Sequence, residues 1–218
     1  MFERTIAATV HGRYLVETPP GGAPVGTLVG CHGYAEPAEA QLERMRAIAG
    51  AERWLLVAVQ GLHRFYHRRA NEVVASWMTR QDRELAIADT IAYVAGVVDA
   101  VSSEWPASPA LVFAGFSQGV ATAFRAAAAS PRRVDGVIAV GGDVPTEIGA
   151  AALGRVARAL VCRGSRDEWY TTAKFDADIG RLRVAGAGVT PLAFDGGHEW
   201  SDAVNQAAGV FLHAVLAR

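Results

Sequence analysis

Short apolar runs alternate with longer amphipathic runs along most of the chain. "VGTLVGC" (25–31), "RWLLVAV" (53–59), "ALVFAGF" (110–116), "VDGVIAVGG" (134–142), "RALVCRG" (158–164) and "VTPLAF" (189–194) are apolar almost throughout. Such runs predict strands buried on both faces, as in a parallel sheet. The segments between them predict helices. "EPAEAQLERMRAIAGAE" (36–52) has acids early and arginines late, in keeping with a helix dipole. Residues 82–105 place Ile87, Ile91, Val94, Val98 and Val101 at spacings of four and three, which predicts one buried helical face. A third helix is expected from 118 to about Ser130, closed by Pro131. Two more are expected over 172–188, stopping at glycines, and over 202–217. At the N-terminus, "RTIAATV" and "RYLVET" predict two strands joined by a tight turn at His11-Gly12. Residues 60–81 show no clear period.

Strands that alternate with helices imply an α/β fold with a mostly parallel, doubly wound sheet and helices on both faces. At 218 residues the chain fits one domain, 1–218, with 60–81 as a lid or substrate-binding segment. A net charge of −1 gives no overall field toward nucleic acid or an anionic membrane. No apolar stretch reaches about 18 residues and no signal peptide opens the chain, so no membrane span and a cytoplasmic location are expected. Cys31 and Cys162 each follow an apolar run and read as buried free thiols. No cofactor, no metal and no particular oligomeric state is implied. His63 and His67 are four apart, but no third ligand is evident.

The chemistry concentrates where the run ending at Phe116 meets the next helix. "GFSQG" sets Ser117 between Gly115 and Gly119 at a strand-to-helix junction. Glycines there allow close backbone approach and let a serine project its oxygen from a sharp turn. A serine hydroxyl needs a base. His198, in the loop "DGGHEW" after the last predicted strand, fits better than His213 within the last helix or His11 in a turn. The base needs an acid to hold it, and Asp167 in "GSRDEW" follows the penultimate strand. Asp143 is the competing acid; Asp195 and Glu168 fit less well. The order Ser117, Asp167, His198 is that of an α/β-hydrolase. Two backbone N–H donors are then expected at the oxyanion, from Gln118 and from Tyr34 in "CHGYAEP". His32 reads as shaping that loop. Phe65, Tyr66, Trp77 and Met78 are candidates for an acyl or aromatic pocket, and Arg64, Arg68 and Arg69 for an anionic part of the substrate.

"CHGY", "GFSQG", "GSRD" and "GGHEW", in this order and spacing, resemble the phospholipase/carboxylesterase family of α/β-hydrolases, which includes acyl-protein thioesterases. The resemblance runs from about Gly26 to Leu216. It implies metal-free hydrolysis of carboxylic esters or thioesters with Ser117, Asp167 and His198 as the triad. The reading taken from the residues is an esterase or thioesterase acting on a small or medium acyl substrate. Backbone groups at Tyr34 and Gln118 would form the oxyanion hole. Two departures stand out: Val120 follows the elbow where the family usually has another glycine, and "YAEPAE" stands where Gly-Asp is usual. Another acyl bond, in a lactone or a peptide/amide, and a non-catalytic ligand-binding relative stay open as alternatives.

Overall fold

The protein is described from a computed structural model that covers residues 1–67, 71–105 and 110–217. In chain order its elements are β1 (Arg13–Glu17), β2 (Thr27–Cys31), α1 (Ala38–Arg46), β3 (Leu55–Gln60), β4 (His63–His67), β5 (Glu72–Ser76), α2 (Arg83–Glu104) and β6 (Leu111–Phe116). There follow α3 (Gln118–Ala129), β7 (Gly136–Val140), α4 (Ala150–Leu153), β8 (Arg158–Gly164), α5 (Thr172–Val184), β9 (Gly188–Phe194) and α6 (Asp202–Leu216). Seven strands form one sheet in the order β1-β3-β2-β6-β7-β8-β9. Only β1 runs antiparallel to its neighbour.

The continuous apolar runs become central strands because both faces of the sheet are covered. Val29, Val57, Phe113, Val137 and Val161 point to one face, where they pack with side chains of α2, α3 and α5. Leu28, Leu56, Val112, Ile138 and Leu160 point to the other, against α1 and α6. Each large side chain buried this way contributes about 2 kcal/mol. Cys31 and Cys162 are buried free thiols on opposite faces, and burial pushes both thiols up. Pro191 sits in the edge strand β9, where a missing N–H is tolerated.

Strand order positions the site. From β2 the chain moves to β3 on one side, then returns to β6 on the other side and continues outward to β9. The loops after β2 and β6 therefore diverge and leave a crevice at the carboxyl ends of those strands, the place where open α/β sheets bind ligands.

Several expectations are corrected. Residues 4–10 form no strand: Ile6 and Val10 are exposed and no strand pairs with them, so the sheet begins at β1. The expected helix over 36–52 ends at Arg46, and a separate 3-10 turn occupies Ala51–Arg53. The buried stripe of α2 is rotated: Ala86, Thr90, Val94, Val97, Val98 and Val101 face inward, while Ile87 and Ile91 sit half-buried at its margin. By length and composition α2 is apolar enough to cross a bilayer, yet its inward face packs on the sheet as a core helix does. The described residues of 60–81 are not irregular. They hold the antiparallel hairpin β4–β5, with Phe65 opposite Val74. His63 and His67 lie on an exposed strand rather than a helical face.

Candidate active site

Ser117 sits between the end of β6 and the first turn of α3, with φ 51° and ψ −118°. A non-glycine residue in that region stores about 1–3 kcal/mol of strain. Its N–H donates to the Val140 carbonyl at 2.9 Å, which anchors the turn to β7. The flanking glycines are required by close approach. A Cβ on Gly119 would lie 2.1 Å from the Cys31 carbonyl oxygen, and one on Gly115 would lie 2.6 Å from that of Gly119. Gly119→Ala is therefore expected to force the elbow off β2, at a cost of about 3 kcal/mol. A melting curve should show a fall of about 10 °C for a chain of this size.

The structure brings Ser117, His198 and Asp167 together from three separate loops. His198 Nε2 lies 2.8 Å from Ser117 Oγ, and His198 Nδ1 lies 2.8 Å from Asp167 Oδ2. The carboxylate can only accept, so Nδ1 carries the proton and Nε2 is free to accept from the serine hydroxyl. The other oxygen of Asp167 accepts the N–H groups of Trp169 and Tyr170, each at 2.9 Å. Burial by itself would raise this carboxyl. The Tyr170 N–H, the His198 imidazole and the Trp169 N–H outweigh it and hold the group below the usual carboxylate range. Asp143 does not reach His198; it pairs with Lys174, the chain's single lysine, at 3.2 Å. Asp195 is exposed and pairs with Arg166, Glu168 is exposed, and His213 lies on the outer face of α6.

Tyr34 and Gln118 both border the cavity beside Ser117, and neither backbone N–H has an acceptor among the described residues. The first is aimed by its neighbours. Gly61 N–H donates to His32 Nε2 at 3.0 Å, which fixes the proton on Nδ1. Nδ1–H then donates to the Gly33 carbonyl at 2.6 Å. No cis peptide bond occurs among the described residues, so drawing that carbonyl toward His32 turns the Tyr34 N–H the other way. His32 is fully buried, and burial keeps its pKa below the ordinary histidine value.

The hairpin supports both donors. Ala35 N–H donates to the Ala75 carbonyl at 3.0 Å, and Ala75 N–H donates to the Glu36 carbonyl at 3.1 Å. The Gln118 side chain accepts from Trp77 N–H at 3.1 Å and donates to the Met78 carbonyl at 3.2 Å.

The cavity over Ser117 measures about 680 Å³. Its walls include Phe116, Ala121, Asp143, Trp169, Lys174 and His198. The four aromatic and methionine candidates are not among them. Trp77 is buried in the core beneath the loop, donating its indole N–H to the His32 carbonyl at 2.8 Å. Met78 is half-buried. Phe65 packs at 5.8 Å on the Tyr34 ring, and Tyr66 is exposed on the hairpin. Arg64 donates to the His11 carbonyl; Arg68 and Arg69 lie outside the described residues. The exposed wall is instead built by Tyr34 and by Trp169, which is 76% exposed. Sequence reasoning missed Trp169, Lys174 and Glu36. The position of Trp169, two residues after the candidate acid, was the available signal.

A seven-stranded sheet of this order, with a strained serine after β6, a histidine after β9 and an aspartate after β8, defines an α/β-hydrolase fold. Solved structures agree on the fold. Esterase PE8 superposes with a TM-score of 0.74 at 20% identity, covering 94% of this chain and 100% of that chain. Acyl-protein thioesterase 2 from Zea mays gives 0.74 at 19% identity over 94% of this chain and 100% of that chain. The Bacillus cereus carboxylesterase gives 0.71 at 16% identity, covering 94% of each. No curated protein sequence matches significantly. The Phospholipase/Carboxylesterase family model matches residues 18–170, and the chain belongs to that family. The matched stretch contains Ser117 and Asp167; His198 lies beyond it.

Proposed function

We propose that the protein is a serine hydrolase that cleaves carboxylic esters or thioesters through an acyl-enzyme on Ser117. The observation that carries this reading is the unbroken relay from Ser117 Oγ to His198 to Asp167, each link 2.8 Å long. Ser117 Oγ attacks the acyl carbonyl while His198 Nε2 takes its proton. Asp167 holds Nδ1–H and stabilises the imidazolium that forms. The carbonyl oxygen becomes an oxyanion that the Tyr34 and Gln118 N–H groups meet, helped by the positive end of α3. His198 then protonates the departing alcohol or thiol. Water repeats the sequence, with His198 as base, to release the acid and restore Ser117.

The cavity volume and its aromatic wall favour small or medium acyl groups. A panel of p-nitrophenyl esters and acyl thioesters of increasing chain length, run beside aminoacyl amides and lactones, tests the bond type. Ester or thioester turnover is expected to dominate, with a pre-steady-state burst on activated esters. Faster turnover of amides or lactones, or binding without turnover across the panel, would reject the assignment.

A further inference from the structure

Glu36 stands in the stretch where the chain departs from the usual family pattern, and it borders the cavity beside Ser117. Both of its carboxylate oxygens are engaged. Oε2 accepts the Gly33 N–H at 2.7 Å and Arg44 Nη1 at 2.6 Å; Oε1 accepts Arg44 Nη2 at 2.6 Å. Arg44 projects from α1, and its guanidinium lies 4.1 Å over the Phe116 ring. That ring in turn packs at 5.2 Å against His198. Burial disfavours the Glu36 charge, but the fork of Arg44 outweighs it and keeps the group ionised.

A carboxylate at this position has two opposite effects. It fixes the Gly33 amide, and with it the peptide that carries the Tyr34 N–H. It also sets a negative charge beside the point where an oxyanion forms, which opposes catalysis. Arg44 removes the second effect while preserving the first. We propose that Glu36 and Arg44 form a charge-neutralised clamp on the oxyanion loop, with Glu36 as a positioning residue for the Tyr34 donor and Arg44 as its screen. The proposal rests on the serine-hydrolase reading.

A clamp of this kind predicts an unusual ordering of variants. E36Q keeps an acceptor for Gly33 N–H without the charge, so kcat on p-nitrophenyl acetate is expected to fall by less than about fivefold. E36A loses the acceptor as well, and about 30-fold in kcat is expected, with KM within about twofold, because the loss is felt in the transition state. R44M leaves the carboxylate unscreened and should lose about 100-fold. Adding E36Q to R44M should recover about tenfold, because it removes the charge that R44M exposed.

The measurement is kcat and KM for wild type and these four variants, with melting temperatures and fluorophosphonate labelling of each. Recovery in the double variant, with E36A below E36Q at unchanged KM, is the expected result. A double variant no faster than R44M, or equal kcat in E36Q and E36A, would overturn the clamp. Should R44M fail to fold, the comparison of E36Q with E36A decides alone. Wild-type protein that neither turns over ester nor takes the fluorophosphonate would reject the hydrolase reading instead, a result distinct from any ordering among variants of an active enzyme.

Discussion

Ser117→Ala is expected to lower kcat for ester hydrolysis by about 10⁶-fold while leaving the protein folded. The substitution removes the hydroxyl that lies within hydrogen-bond reach of His198 Nε2. It does not touch the backbone that creates the site: alanine keeps the Cβ, the strained φ of 51°, the N–H bond to Val140 and the start of α3. The Tyr34 and Gln118 amides stay in place, so weak residual acceleration over water is expected from them and from substrate binding. Melting within about 2 °C of wild type, measured beside initial rates on a short p-nitrophenyl ester, separates lost chemistry from lost structure. A variant that keeps even one-tenth of wild-type activity would place the nucleophile elsewhere.

Asp167→Asn should cost about 10⁴-fold in kcat, again with little effect on folding. The asparagine carbonyl can still accept the Trp169 and Tyr170 N–H groups that Asp167 Oδ1 accepts now. Its amide nitrogen then faces His198 Nδ1 as a donor and requires Nδ1 to become the acceptor. The proton moves to Nε2, the atom that must receive the serine proton, and the base is lost without any change of position. Asp143→Asn is the control. Asp143 pairs with Lys174 at the cavity wall, so its loss is expected to change KM more than kcat. Equal losses in kcat from both substitutions would mean that the imidazole has been assigned the wrong partner.

The sheet was legible because its central strands are buried on both sides. Apolar runs such as "TLVGC" and "ALVFAGF" have no other use in a chain of this composition. Chain order and loop position then singled out Ser117, Asp167 and His198 as candidates, which the structure brings together because each follows a strand at the same end of the sheet. Two kinds of feature were hidden. The first is the hairpin β4–β5. "HRFYH" is exposed along its whole length, so it carries neither an apolar run nor a clean alternation, and it forms because β5 has Ala35 and Glu36 to pair with. The second is the choice of wall. Nothing in "SWMT" says that Trp77 turns into the core to meet His32, while Trp169 turns toward solvent beside Ser117. That choice depends on which neighbour each indole finds, and those neighbours are 45 residues away for Trp77. The N-terminal run "RTIAATV" failed for a related reason: strand propensity alone does not make a strand where no side chain is buried by it, and Ile6 stays in water.

The central claim is that one hydroxyl, at position 117, becomes covalently acylated. The most direct test treats wild type and Ser117→Ala with a fluorophosphonate and reads intact mass, followed by peptide mapping of the adduct. One phosphonyl group per chain is expected, located on Ser117, with none on the alanine variant. An adduct on any other residue, or equal labelling of both proteins, would contradict the account.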